Sequence, residues 1–86
     1  MKYVIDIPEY DSSKGFRFEW EDNFQISTKV DDKGAITITA NPDGLISLAR
    51  HLLVLAQANI PKGYHFHLDS SNSLEAGSHE LVIERE

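Results

Sequence analysis

The chain has 86 residues, no cysteine and a formal net charge of −6, from 14 acidic and 8 basic side chains. This length sets the expectation of a single domain over residues 1–86 with one modest core, and the missing cysteines exclude disulfides and thiolate metal sites. The acidic balance argues against nucleic acid as a partner, because phosphates demand a basic footprint. No apolar run approaches the roughly 20 residues of a membrane-spanning helix, and Met1–Asp6 lacks a signal peptide's apolar block, so no membrane partner and a cytoplasmic location are expected.

Residues 3–7 alternate, which predicts a strand with Tyr3, Ile5 and Ile7 inward and Val4 and Asp6 outward, ended by Pro8. After a polar loop, Gly15 opens a second strand with Phe16, Phe18 and Trp20 inward and Arg17, Glu19 and Glu21 outward. Glu21-Asp22-Asn23 reads as a turn. A third strand over 25–30 places Ile26, Thr28 and Val30 on one side. Asp31-Asp32-Lys33-Gly34 is a hairpin connector into a fourth, over 35–40, with Ile36 and Ile38 inward. Four strands with short connections suggest an antiparallel meander.

A helix follows. Asn41 is a favourable N-cap, Pro42 fits the first helical position, and Asp43 suits the positive end of the dipole. Leu45, Leu48, Ala49, Leu52, Leu53, Leu55 and Ala56 form a broad apolar arc that predicts the buried face. Asn59 and Pro61 stop it. The opposite side, Ser47, Arg50, His51, Val54, Gln57 and Ala58, carries one charge only. That is either an accident of a short helix or the mark of a side covered by a partner or a second subunit. Lys62-Gly63 then turns the chain into a strand over 64–69, with Tyr64, Phe66 and Leu68 on one face and His65, His67 and Asp69 on the other. A loop around Leu74 leads to a last strand over 79–84, with Leu81 and Ile83 inward and Val82 outward.

The predicted fold class is therefore α+β: a curled antiparallel sheet of about six strands in ββββαββ order, with one helix packed on its apolar face. A helix of about 17 residues is roughly 25 Å long and 10 Å wide. It cannot cover a sheet roughly 24 Å across. Strong curl, a protein partner or a homodimer would have to cover the rest.

His65, His67 and Asp69 are the natural candidates for chemistry. Two imidazoles two residues apart on a strand project to one side, and Glu80 or Glu84 could add a carboxylate. This keeps open a small metal-binding protein or enzyme. A metal centre also needs three convergent ligands and groups that fix each ring, whereas this row falls on the face predicted to be wet. No metal or other cofactor is expected on that ground. The serines lie outside any nucleophile elbow, the glycines are too isolated to cradle a phosphate, and Glu19 and Glu21 share an open strand face instead of a cleft. The expectation is a protein that is not an enzyme.

Three segments carry a family likeness. They are the helical run from Asn41 to Gln57; Gly63-Tyr64-His65-Phe66-His67-Leu68-Asp69; and Leu74-Glu75-Ala76-Gly77-Ser78 with Glu80-Leu81-Val82-Ile83-Glu84. Together they resemble the small bacterial immunity proteins of the immunity protein 32 family, associated with polymorphic toxin systems. The likeness covers roughly the C-terminal half, and its histidine-rich strand followed by Leu-Glu-x-Gly-Ser is its most specific part. It implies neutralisation of a cognate toxin by direct binding, and it transfers no contact residues. From surface and charge alone, the candidate partner-binding residues are Glu19, Glu21, Asp22, Asp31, Asp32, His65, His67, Asp69 and Glu75, a set suited to a basic protein.

Overall fold

A computed structural model describes all 86 residues. Its first regular element is a hairpin of β1 (Ile26–Val30) and β2 (Ile36–Ala40), paired antiparallel with Thr28 opposite Ile38. Asp31 builds the turn: its carboxylate accepts the Lys33 and Ala35 N–H groups, both at 2.9 Å, and Gly34 supplies a φ of 86° that a side chain would resist. At the open end the Asn41 N–H donates to the Gln25 carbonyl at 3.1 Å, and at the turn Asp31 N–H donates to Ala35 at 3.0 Å. The alternation of an antiparallel ladder then makes Ser27–Thr39 and Lys29–Thr37 the hydrogen-bonded pairs. The backbone groups of Ile26, Thr28 and Val30 on β1, and of Ile36, Ile38 and Ala40 on β2, point away from the hairpin.

On the β1 side those groups are used by the loop before the last strand. Glu75 N–H donates to Ile26 O at 2.9 Å and His79 N–H to Thr28 O at 3.4 Å. Thr28 N–H donates to Ser78 Oγ at 3.2 Å, and the Thr28 hydroxyl donates to the His79 carbonyl. Asn41 then joins hairpin to helix. Its Oδ1 accepts from Gln25 N–H at 3.0 Å and Gly44 N–H at 2.8 Å, while its amide donates to Asn23 O at 2.8 Å.

Helix α1 spans Pro42–Leu55, with Pro42 and Asp43 in its first turn as the sequence predicts. A second antiparallel pair, β3 (His65–Leu68) and β4 (Leu81–Glu84), sets Phe66 opposite Ile83 and Leu68 opposite Leu81. The core forms between these units from Tyr10, Ile26, Leu55, Ile60, Phe66, Leu68 and Leu74.

The α+β class holds, but the sheet of six strands does not. There are two separate two-stranded sheets, and residues 3–7 and 15–21 are not strands, apart from an isolated bridge between Asp11 and Gly15. The aromatic run has strand-like alternation, yet its backbone bonds to side chains: Phe16 N–H to Tyr64 Oη, Glu19 N–H to His51 and Glu21 N–H to Ser47. Alternation is a pattern of side-chain faces and does not say what the backbone meets.

The helix also presents a different side to the core from the one its leucines suggest. Gly44, Ser47, His51, Val54 and Leu55 are buried, whereas Leu45, Leu52 and Leu53 are 54%, 43% and 47% exposed. An extended segment without strand neighbours must find other partners for its N–H groups, and Ser47 and His51 provide them. The sparsely charged side of the helix, expected either to be an accident or to be covered by a partner or second subunit, is instead largely covered by the chain's own residues 8–21.

Candidate functional site

The side chains that hold residues 8–21 form a polar row along α1 and beyond it. Gln57 accepts from Tyr10 N–H at 3.0 Å and donates to Pro8 O at 2.9 Å, and Asn59 donates to Tyr10 O at 2.9 Å. His51 Nε2 accepts the Glu19 N–H at 3.0 Å, and Ser47 Oγ accepts that of Glu21 at 2.8 Å. Arg50 closes the row, donating to Glu19 O at 3.2 Å and to the Glu21 carboxylate at 2.8 Å. These bonds turn the segment into a strap laid over the helix.

The strap carries the aromatic cluster. Phe18 lies parallel to Trp20 with ring centres 6.0 Å apart, Trp20 stacks on Phe24 at 4.5 Å, and His51 meets Trp20 edge-on at 4.4 Å. Phe18 and Trp20 form one wall of a shallow hollow of about 150 Å³, opposite His67, Leu68, Asn72 and Ser73. Strap and β3 thus share one surface feature.

His51 is fully buried, at 0% exposure. Because Nε2 accepts a hydrogen bond, the ring is neutral and carries its proton on Nδ1, which has no partner. Burial first, and then the neighbouring Arg50 guanidinium, lower its pKa from 6.5 to about 4. The Glu19 N–H also occupies the lone pair a second proton would need. The unfolded chain takes up that proton near pH 6.5 and the folded one only near 4, so acid favours unfolding across this interval. We expect stability to hold above the upper pKa, to fall with pH between the two, and to lose at most about 3 kcal/mol from this group. Urea unfolding at pH 7, 5.5 and 4.5 checks this. His51→Gln, which does not titrate, flattens that part of the profile; an equally steep profile in the variant would assign the effect elsewhere.

Of the nine residues singled out from sequence, His65 and His67 stand together on the outer face of β3, ring centres 5.1 Å apart. His67 Nδ1 lies 3.1 Å from Glu80 Oε2 and His65 Nδ1 3.1 Å from Gly63 O. Asp69 does not join them. Its carboxylate accepts the Ser71 N–H at 2.8 Å and its carbonyl accepts those of Asn72, Ser73 and Leu74, so it shapes the loop. No three His, Asp or Glu side chains converge as metal ligands. Glu21 is engaged by Arg50 and Asp31 by its own turn. Glu19 pairs loosely with Arg17 at 3.6 Å on the surface, and Asp22, Asp32 and Glu75 are exposed. The structure therefore places Glu19 and Glu21 on the strap beside Arg50 and His67 at the hollow, and leaves Asp31 and Asp32 at the hairpin tip. Sequence reasoning missed Ser47, His51, Gln57 and Tyr64 as the groups that set the strap in place. The one signal for Ser47, His51 and Gln57 was a helix side nearly free of charge; Tyr64 had none.

Fold and surface together define a small α+β protein with one helix and two small antiparallel sheets. The family model described as immunity protein 32 matches residues 35–86, more than half of the chain, and the protein belongs to that family. Comparison with curated proteins and with solved structures returns no match. The matched span holds β2, α1, β3 and β4; the strap and β1 precede it. His65, His67, Asp69 and Glu75 lie inside it, as do the helix residues that grip the strap. Glu19, Glu21, Asp22, Asp31 and Asp32 lie outside it.

Proposed function

We propose that this protein is a non-enzymatic immunity protein of the bacterial cytoplasm that neutralises a cognate toxin by binding it directly. The observation that carries this reading is the family match over residues 35–86. The net charge of −6 supports a basic partner, which an acidic surface attracts before contact and orients during docking. The proposed contact surface comprises Glu19, Glu21, Asp22, Asp31, Asp32, His65, His67, Asp69 and Glu75, of which His67 lines the hollow between strap and β3. Glu21, Asp31 and Asp69 also hold local structure, so the clean probes of contact are Glu19, Asp22, Asp32, His65, His67 and Glu75.

The test is calorimetric titration against the protein encoded immediately upstream, with co-expression to read protection. The wild type binds and protects, and the combined Glu19→Lys, Asp22→Lys and Asp32→Lys variant loses about tenfold or more in affinity. A folded wild type that neither binds nor protects would remove the proposal.

A further inference from the structure

The free edge of β2 is the least defended part of the molecule. The strand is Ile36-Thr37-Ile38-Thr39-Ala40, and residues 36 to 39 are exposed, Ile36 at 69%. Its outer edge presents the N–H and C=O of Ile36, Ile38 and Ala40, because the ladder to β1 uses Thr37 and Thr39. The opposite edge of the same sheet is taken by residues 75–79. Natural edge strands carry a charge, a proline or a bulge that discourages pairing. Residues 35–40 carry none of these. A hairpin of two strands is also marginal by itself and gains from a third.

We infer that two copies of this chain pair through β2, antiparallel about a two-fold axis at Ile38, to give a continuous sheet in the order β1-β2-β2-β1. The strand is complementary to itself in this register. Ile38 faces its own copy, Ile36 faces Ala40, and Thr37 faces Thr39, so apolar side chains meet on one face and threonines on the other. All five residues are used, and each outward N–H and C=O of Ile36, Ile38 and Ala40 finds its reciprocal partner. The strand brings no charge into the contact, so two chains of net charge −6 do not oppose like charges there. A partner chosen by charge finds nothing to read on such an edge. The inference does not depend on toxin binding. An interface this small dissociates readily, so dimer builds up with concentration.

Sedimentation velocity of the full chain from about 5 to 200 µM, a range chosen for a weak contact, reads this directly. The wild type shifts from monomer toward dimer, and Ile38→Lys stays monomeric throughout with unchanged helix signal and Trp20 emission. A single cysteine tests the register, since the chain has none of its own. Under mild oxidation Ile38→Cys cross-links to itself, because directly paired Cα atoms stand about 5.5 Å apart, whereas Thr37→Cys, displaced from its own copy, does not. A wild type monomeric over the whole range would overturn the inference. So would a dimer that survives Ile38→Lys, or equal cross-linking at 37 and 38. A monomer whose Ile38→Lys variant loses toxin affinity would assign the edge to the toxin instead.

Discussion

His51→Ala lowers the unfolding free energy by about 2–4 kcal/mol and frees the aromatic strap before the helix melts. Two losses add. The imidazole fills a fully buried position against Trp20 and Phe18, at ring distances of 4.4 and 5.1 Å, and its removal leaves a cavity that the strap cannot close while Ser47 and Arg50 hold it. The Glu19 N–H, which donates to Nε2 at 3.0 Å, is left without an acceptor in a partly buried place. For a chain of this length the total stability is on the order of 4–13 kcal/mol, so the loss is a large share. Trp20 is the only tryptophan, and its emission moves to longer wavelength as the strap lifts. The far-UV helix signal persists to higher urea. His51→Gln keeps an acceptor oxygen and recovers part of the loss, and Ser47→Ala costs about 1 kcal/mol through the Glu21 N–H alone. If His51→Ala unfolds at the wild-type urea midpoint with unshifted Trp20 emission, the row of acceptors does not hold the strap.

The helix shows what a sequence pattern reveals and where it stops. Asn41, Pro42 and Asp43 announce its start because capping is local: the groups that satisfy the first turn lie within three residues of it. Its existence, and the order hairpin, helix, hairpin, follow from such local signals. Which face it buries is not local. The leucine arc has the greater apolar area, but the side that faces inward is set by the strap, whose N–H groups need acceptors from residues about 30 positions away, as in the Glu19–His51 bond. The same reasoning explains the missing strands. Tyr3 to Ile7 and Phe16 to Trp20 alternate as strands do, but pairing needs a neighbour with a free edge in register, and periodicity carries no information about that. The histidine row was legible as an outer face because β3 is a true strand with Phe66 and Leu68 buried beneath it. That Asp69 leaves the row for the loop depends on the bonds of residues 69–74, which no spacing rule contains.

Gly44→Ala destabilises by about 2–4 kcal/mol, against the sign that helix propensity alone assigns. Glycine inside a helix is ordinarily improved by alanine, by about 1 kcal/mol, because the backbone loses less freedom on folding. Here a methyl group has nowhere to go. A Cβ at position 44 would stand 2.5 Å from the Gln25 carbonyl oxygen, 2.9 Å from Ile26 Cγ1 and 3.1 Å from Ala40 Cβ. None of the three can yield cheaply. The Gln25 carbonyl receives the Asn41 N–H that closes the open end of the hairpin, Ile26 is fully buried in the core, and Ala40 ends β2 one residue before the N-cap. Relief therefore requires the first turn of α1 to move off the hairpin, which strains the Asn41 bonds to Gln25 and Gly44 together. The glycine is thus a seat that lets helix and β1 touch, and the sequence offers it as no more than a weak point in a helix. Chemical denaturation decides the sign. Leu52→Ala, on the exposed side of the same helix, serves as the control and changes stability by less than about 1 kcal/mol. A Gly44→Ala protein as stable as the wild type would mean that α1 does not rest on the hairpin at this point.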